Sequence, residues 1–277
     1  MSTFDIYRYQ ILPASQQQQS LFNELVSADE LRLRKNHYFS EILNGEMNFE
    51  HKGLIIKCIR ENIGSNLYLF KIGVYKNVDR DNEDFQREKI PSWPNVTVII
   101  NNLDDRQTIL ISRNVKAFST TKVVSNILEK TFDQALNYMG LTIQIRETFN
   151  PNHFWGLMRE NEGRVDRVRF EMVAPNMASI TKALKIDLRQ LNRESNCQKV
   201  SLQLESLPKT ALEIDPEDEL IKGCVEYASL GGGDIVVKLK GVRKEIRTSE
   251  KIQIVEIDEM TLSGLNQDTL LLLNENL

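Results

Sequence analysis

The sequence predicts an α+β protein built on largely antiparallel sheets with flanking helices, and three observations carry that reading. Alternating apolar residues mark several short strands joined by tight polar turns, an arrangement that pairs neighbouring strands antiparallel. Amphipathic stretches with helical spacing lie between them. The block Trp93–Asn176 combines both, as strand, turn, strand, helix, strand, helix, strand. At 277 residues the chain exceeds the common single-domain size, so the elements divide into two mixed α/β halves, 1–160 and 161–277.

Phe4–Leu12 reads as a strand ended by Pro13. Apolar residues from Leu21 to Leu43 recur at helical intervals, predicting two helices broken near Ser27-Ala28-Asp29 and closed by Gly45. Leu54–Arg60 and Asn66–Tyr75 are two strands joined around Gly64. Asn77–Lys89, the most hydrophilic segment, predicts a charged helix or solvated loop, with a flap as its functional reading. Val96–Ile100 and Thr108–Ser112 flank the turn residues Asn101–Asp105 as a hairpin.

Thr120 or Thr121 can cap a helix over Lys122–Met139 that Gly140 stops. Leu141–Arg146 follows as a strand, His153–Glu160 as a short helix and Val165–Val173 as a strand that Ala174-Pro175-Asn176 breaks. An amphipathic helix over Ser179–Arg193, a strand over Lys199–Leu204 and a helix over Glu217–Leu230 come next. Gly231-Gly232-Gly233 ends that helix and opens a strand, Asp234–Lys240, for which Ile252–Ile257 is the expected partner. Leu262–Leu277 is an apolar, acidic tail suited to docking on the core or on a partner.

A net charge of −4 excludes a globally basic nucleic-acid coat, so any polyanion contact has to come from a local patch. The patch that stands out is Arg164, Arg167 and Arg169 with Lys182, Lys185, Arg189 and Arg193. Arg167 and Arg169 share a strand face, and Lys182, Lys185, Arg189 and Arg193 lie three or four apart on one helix face. With few aromatics nearby, such a stripe reads phosphates rather than bases.

Catalytic signals are sparse. The triple glycine follows a helix instead of opening one, the wrong order for a phosphate loop, and no Walker or dinucleotide fingerprint occurs. His37, His51 and His153 stand in no metal-ligand spacing, and His153 beside Phe154 and Trp155 is the best single candidate for a histidine-based site. Asp215 or Asp234 with Lys238 and Lys240 is the nearest approach to a metal-dependent nuclease, without the acid-x-lysine pair of the common core. Cys58, Cys197 and Cys224 are read as small buried hydrophobes in a reducing compartment. No apolar run reaches the roughly 20 residues of a membrane span, so the expected setting is cytoplasmic with no membrane, and no metal or cofactor is expected.

The segment V-T-V-I-I-N-N-L-D-D-R-Q-T-I-L-I at Val96–Ile111, N-Y-M-G-L-T-I-Q-I at Asn137–Ile145, F-W at Phe154-Trp155, V-R-F-E-M-V-A-P-N at Val168–Asn176 and E-Y-A-S-L-G-G-G at Glu226–Gly233 together resemble bacterial proteins encoded in mobile or phage-defence islands. The resemblance implies a setting, antiviral defence, and carries over no catalytic residue. The functional expectation is a non-catalytic binding or regulatory component of such a system, contacting nucleic acid through its basic surface and assembling with itself or a partner protein. A metal-dependent nuclease and a protein-interaction subunit without nucleic-acid contact are the alternatives.

Overall fold

The computed structural model describes residues 1–14, 19–21, 24–62, 66–104, 106–173, 197 and 199–258. The Ser179–Arg193 helix and the Leu262–Leu277 tail lie outside the described residues. The element order is β1 (Ser2–Pro13), β2 (Gln19–Leu21), β3 (Glu24–Val26), α1 (Ala28–Asn44), β4 (Ile56–Asn62), β5 (Leu67–Val74), β6 (Lys76–Asp81), β7 (Arg87–Ser92), β8 (Asn95–Asn101), β9 (Thr108–Ser112), α2 (Thr121–Asn137), β10 (Leu141–Glu147), α3 (Pro151–Glu160), β11 (Val165–Val173), β12 (Lys199–Glu205), α4 (Glu219–Tyr227), β13 (Gly233–Leu239), β14 (Ile246–Arg247) and β15 (Ile254–Ile257). The fold is α+β with antiparallel sheets: one of seven strands in the order β10-β1-β9-β8-β5-β4 with β15 also on β1, one of four in the order β12-β11-β13-β14, and two hairpins, β2-β3 and β6-β7.

The chain forms two compact units, one from residues 1–5, 34–143 and 254 onward, the other from 6–33 and 144–253. The halves expected at 1–160 and 161–277 follow chain order; these units do not, since β1 and β10 each contribute residues to both.

In the first unit, the chain from β4 to β9 is laid down as successive hairpins, and β5, β8 and β9 carry the apolar side chains that make them the buried middle of the sheet. Phe39 of α1 meets Phe132 of α2 edge to face at 5.1 Å. Asn36 and Asn102 exchange amide-to-carbonyl bonds of 3.0 and 2.8 Å, and Gln107 Nε2 donates to Asn36 Oδ1 at 2.7 Å, which ties α1 to the β8–β9 turn. The buried Asp5 carboxylate accepts from Arg113 Nε at 2.8 Å and from the Thr121 hydroxyl. Neither expected cap serves α2, because Thr120 makes no side-chain cap bond and Thr121 is turned to Asp5.

In the second unit α3 and α4 cover one face of the four-stranded sheet, where Phe154, Leu157, Ile221 and Cys224 pack on Val168, Phe170, Ile235 and Val237. Asn150 caps α3 through a bond from Asn152 N at 2.9 Å, and Asp218 caps α4 through Leu220 N and Ile221 N. The three glycines turn α4 into β13 through a π-helical turn, Ala228–Gly232. Gly231 has φ +81°, and a Cβ there would lie 2.6 Å from Arg8 Cβ. At Gly233 a Cβ would overlap the Glu171 carbonyl on β11.

Three expectations are corrected. The first predicted helix, from Leu21, is replaced by the paired β2 and β3, and a single helix then starts at Ala28, where Ser27 Oγ accepts from Glu30 N at 3.2 Å. Asn77–Lys89 is neither helix nor irregular loop: it belongs to the β6–β7 hairpin. β13 pairs with β11 and β14, and β15 instead pairs Ser2–Asp5 of β1.

Because the β11 carbonyl leaves no room for a methyl group, Gly233→Ala is expected to cost about 3 kcal/mol or more. Thermal or urea unfolding of the variant beside Gly163→Ala, which meets open space at φ +72° and carries only backbone strain, checks this.

Candidate interaction surfaces

The face of the four-stranded sheet away from α3 and α4 is polar. Strand register places Arg167, Arg169 and Glu171 on it, opposite Glu205, Gln203 and Ser201 of β12 and Lys238, Val236 and Asp234 of β13. Arg167 and Arg169 therefore share a face as expected, but carboxylates share it with them. Arg167 reaches Glu245 at 2.8 Å, Arg169 reaches Glu171 at 2.9 Å and Glu245 at 3.8 Å, and Arg247 reaches Asp234 at 2.9 Å and Glu171 at 3.3 Å. Partial burial works against the charge of Arg247, yet Asp234 and Glu171 hold its pKa above the ordinary value. Each half-exposed pair adds little stability; the effect is to neutralise the face. Lys182, Lys185, Arg189 and Arg193 lie outside the described residues.

Asp234, a candidate nuclease ligand, is committed to structure. It accepts from Arg247, from Thr248 Oγ1 at 3.1 Å, from Ser249 Oγ at 2.8 Å and from the Ile235 and Ser249 amides. Lys238 Nζ donates to the Arg243 carbonyl at 2.7 Å, Lys240 Nζ to the Thr210 carbonyl, and Asp215 accepts from Glu217 N. Among the described residues no group of three His, Cys, Asp or Glu side chains is placed to hold a metal ion. His153 sits in the first turn of α3, where burial first and Lys251 second hold its imidazole below the usual range.

A second surface lies at one end of the same sheet. The Lys240 amide donates to the Arg164 carbonyl at 2.9 Å, so Arg164 and the Gly241–Lys244 turn are neighbours. Lys244 pairs with Glu250, whereas Arg164 and Arg243 are exposed and have no carboxylate within ion-pair distance among the described residues. Arg164 is thus the one described member of the sequence-predicted patch with its charge uncommitted.

The third surface is the β6–β7 hairpin. Its register sets Asp79 against Lys89, Arg80 against Glu88 and Asp81 against Arg87, opposite charges at three consecutive rungs. Asn82 organises the tip: its Oδ1 accepts from Asp84 N at 3.1 Å and Gln86 N at 2.9 Å, and its carbonyl from Phe85 N at 3.0 Å. This turn forces Phe85 to φ +59°, in the left-handed region, with the residue 92% exposed beside Glu83, Asp84 and Gln86. Its sequence signal is the antisymmetric pair of triplets, Asp-Arg-Asp and Arg-Glu-Lys, around a five-residue turn.

With these geometries in view, the chain matches no family model, no curated protein and no solved structure. No described helix is long and apolar enough to cross a membrane.

Of the three cysteines only Cys224 is buried, and Cys58 and Cys197 are half-buried, which corrects the uniform reading of them as core residues. Burial pushes both the Cys58 and Cys224 thiols up to about 11. Both are expected to resist iodoacetamide in the native protein at neutral pH and to react once it is unfolded, as read by peptide mass. Since the folded values lie above the ordinary 9.0, stability conferred by the neutral thiols is present below pH 9 and is lost as pH rises toward 11. The double variant Cys58→Ser, Cys224→Ala should show a shallower alkaline loss in pH-dependent unfolding.

Proposed function

We propose that this protein is a non-catalytic interaction component that presents the β6–β7 hairpin to a partner protein, with Phe85 as the anchor. The observation that carries the reading is Phe85 itself: an aromatic side chain held at φ +59° and 92% exposed. A bulky residue in the left-handed region costs roughly 1–2 kcal/mol, which a glycine or asparagine would largely avoid. Burial of the ring in an apolar pocket of a partner offsets both that strain and its exposure to water. Glu83 and Asp84 beside it repel phosphate and suit a pocket rimmed by cations. The paired charges along the arm leave no net field to attract a polyanion. In the antiviral setting implied by the resemblance, the protein is an assembly or regulatory subunit.

One observation favours a second reading. Arg164 and Arg243 are exposed cations without described carboxylate partners at the end of the four-stranded sheet, and they can contact nucleic-acid backbone.

A photoreactive phenylalanine analogue at position 85, illuminated in the source cell, distinguishes the two. Crosslinking to one discrete protein, lost when Glu83 and Asp84 are changed to lysine, is the expected result. Crosslinking to no protein, together with DNA or RNA retention that weakens steeply with salt and is lost in Arg164→Glu, Arg243→Glu, would replace the first reading with the second. Phe85→Gly is expected to match or exceed the wild type in thermal stability while losing the partner, which separates binding from folding.

A further inference from the structure

Strand β4 closes one end of the seven-stranded sheet, paired with β5 on one side and with no described strand on the other. Its backbone phase is fixed by one bond. The Tyr75 amide donates to the Ile55 carbonyl at 2.9 Å, so the odd-numbered residues turn their amides and carbonyls to β5. By the alternation of an antiparallel ladder, Ile56, Cys58, Arg60 and Asn62 turn theirs outward. Four residues with outward-facing backbone groups make an edge ready to accept another strand.

Its side chains select the strand that fits. Lys57, Ile59 and Glu61 point to the same sheet face, and Ile59 is 50% exposed at its centre. We infer that β4 pairs antiparallel with β4 of a second copy about a two-fold axis through Ile59. In that register Cys58 faces Arg60 of the second copy and Ile56 faces its Asn62, both hydrogen-bonded pairs, as the outward phase requires. Ile59 meets Ile59 and Lys57 meets Glu61, both non-hydrogen-bonded pairs, where side chains come closest. Two-fold symmetry makes the second Lys57–Glu61 contact automatic. Moving the axis to residue 58 sets Lys57 against Ile59, and moving it to residue 60 sets Ile59 against Glu61, so only the central register joins like to like and charge to opposite charge.

Glu61 already meets Lys71 of its own chain at 3.0 Å, with both side chains nearly half exposed. In the dimer it lies between that lysine and Lys57 of the other copy, one carboxylate between two cations.

Scattering mass from the full chain across a concentration series tests this, the expected dimer weighing twice the 32.0 kDa of one chain. Lys57→Glu and Glu61→Lys each place like charges at both symmetric contacts and should each weaken the dimer about tenfold or more. Mixing the two variants restores opposite charges at both contacts and should restore a mixed dimer, an outcome that unfolding of either variant cannot produce. Ile59→Cys, made with Cys58 and Cys197 replaced by serine, should oxidise to a covalent dimer, whereas Lys57→Cys in the same background should not. A chain that stays monomeric throughout, or a dimer indifferent to both reversals and to the cysteine at position 59, would overturn the proposal.

Discussion

The second unit depends on a backbone approach too close for any side chain. At Gly231–Gly233 the polypeptide leaves a helix, passes against Arg8 of β1 and enters β13 against the Glu171 carbonyl of β11. Every downstream feature of that sheet inherits this placement. The register of β13 on β11 sets Asp234 opposite Glu171, and that adjacency collects Arg247, Thr248 and Ser249 around one carboxylate. The Tyr227 hydroxyl, one turn before the glycines, closes the same corner on the Val173 carbonyl. A run of glycine that resembles a ligand loop is here a packing device: the space that a ligand would take is occupied by protein backbone.

Opposite charges in register recur at different scales. Across the polar sheet face they cancel a field that the sequence alone suggests is basic, and along the β6–β7 arm they specify a hairpin that hydrophobicity does not. Both depend on which residues face one another, which linear order conceals. Arginines at positions 167 and 169 look like phosphate ligands until strand pairing brings Glu245, distant in sequence, beside them.

What was legible in the sequence follows from the range of the forces involved. Hairpins with turn residues between apolar strands, such as β8–β9, and helices with a single apolar stripe, such as α2, declare themselves within a short window. The α+β class was readable for that reason. The helical spacing before Ser27 misled because apolar spacing in so short a segment fits either element, and β-pairing decides between them. The pairing of β15 with β1 joins the two ends of the described chain, and no local pattern announces it. Of the surface candidates, Arg164 was named from composition, whereas Phe85 lay in a segment whose polarity read as a charged helix or solvated loop.

The hairpin arm has one further property. Its register contacts are all between β6 and β7, spanning no more than the residues from Lys76 to Ser92, so its length is decoupled from the sheet on which it stands. Removing or adding one residue on each strand changes the reach of the tip by roughly 3.4 Å and turns the face it presents, while a change of two on each keeps the face and shifts the reach by about 7 Å. The arm is a ruler with two-residue graduations, free to drift in length over evolution without disturbing the core, and the distance at which Phe85 is held is therefore a trait that can be tuned independently of everything else in the molecule.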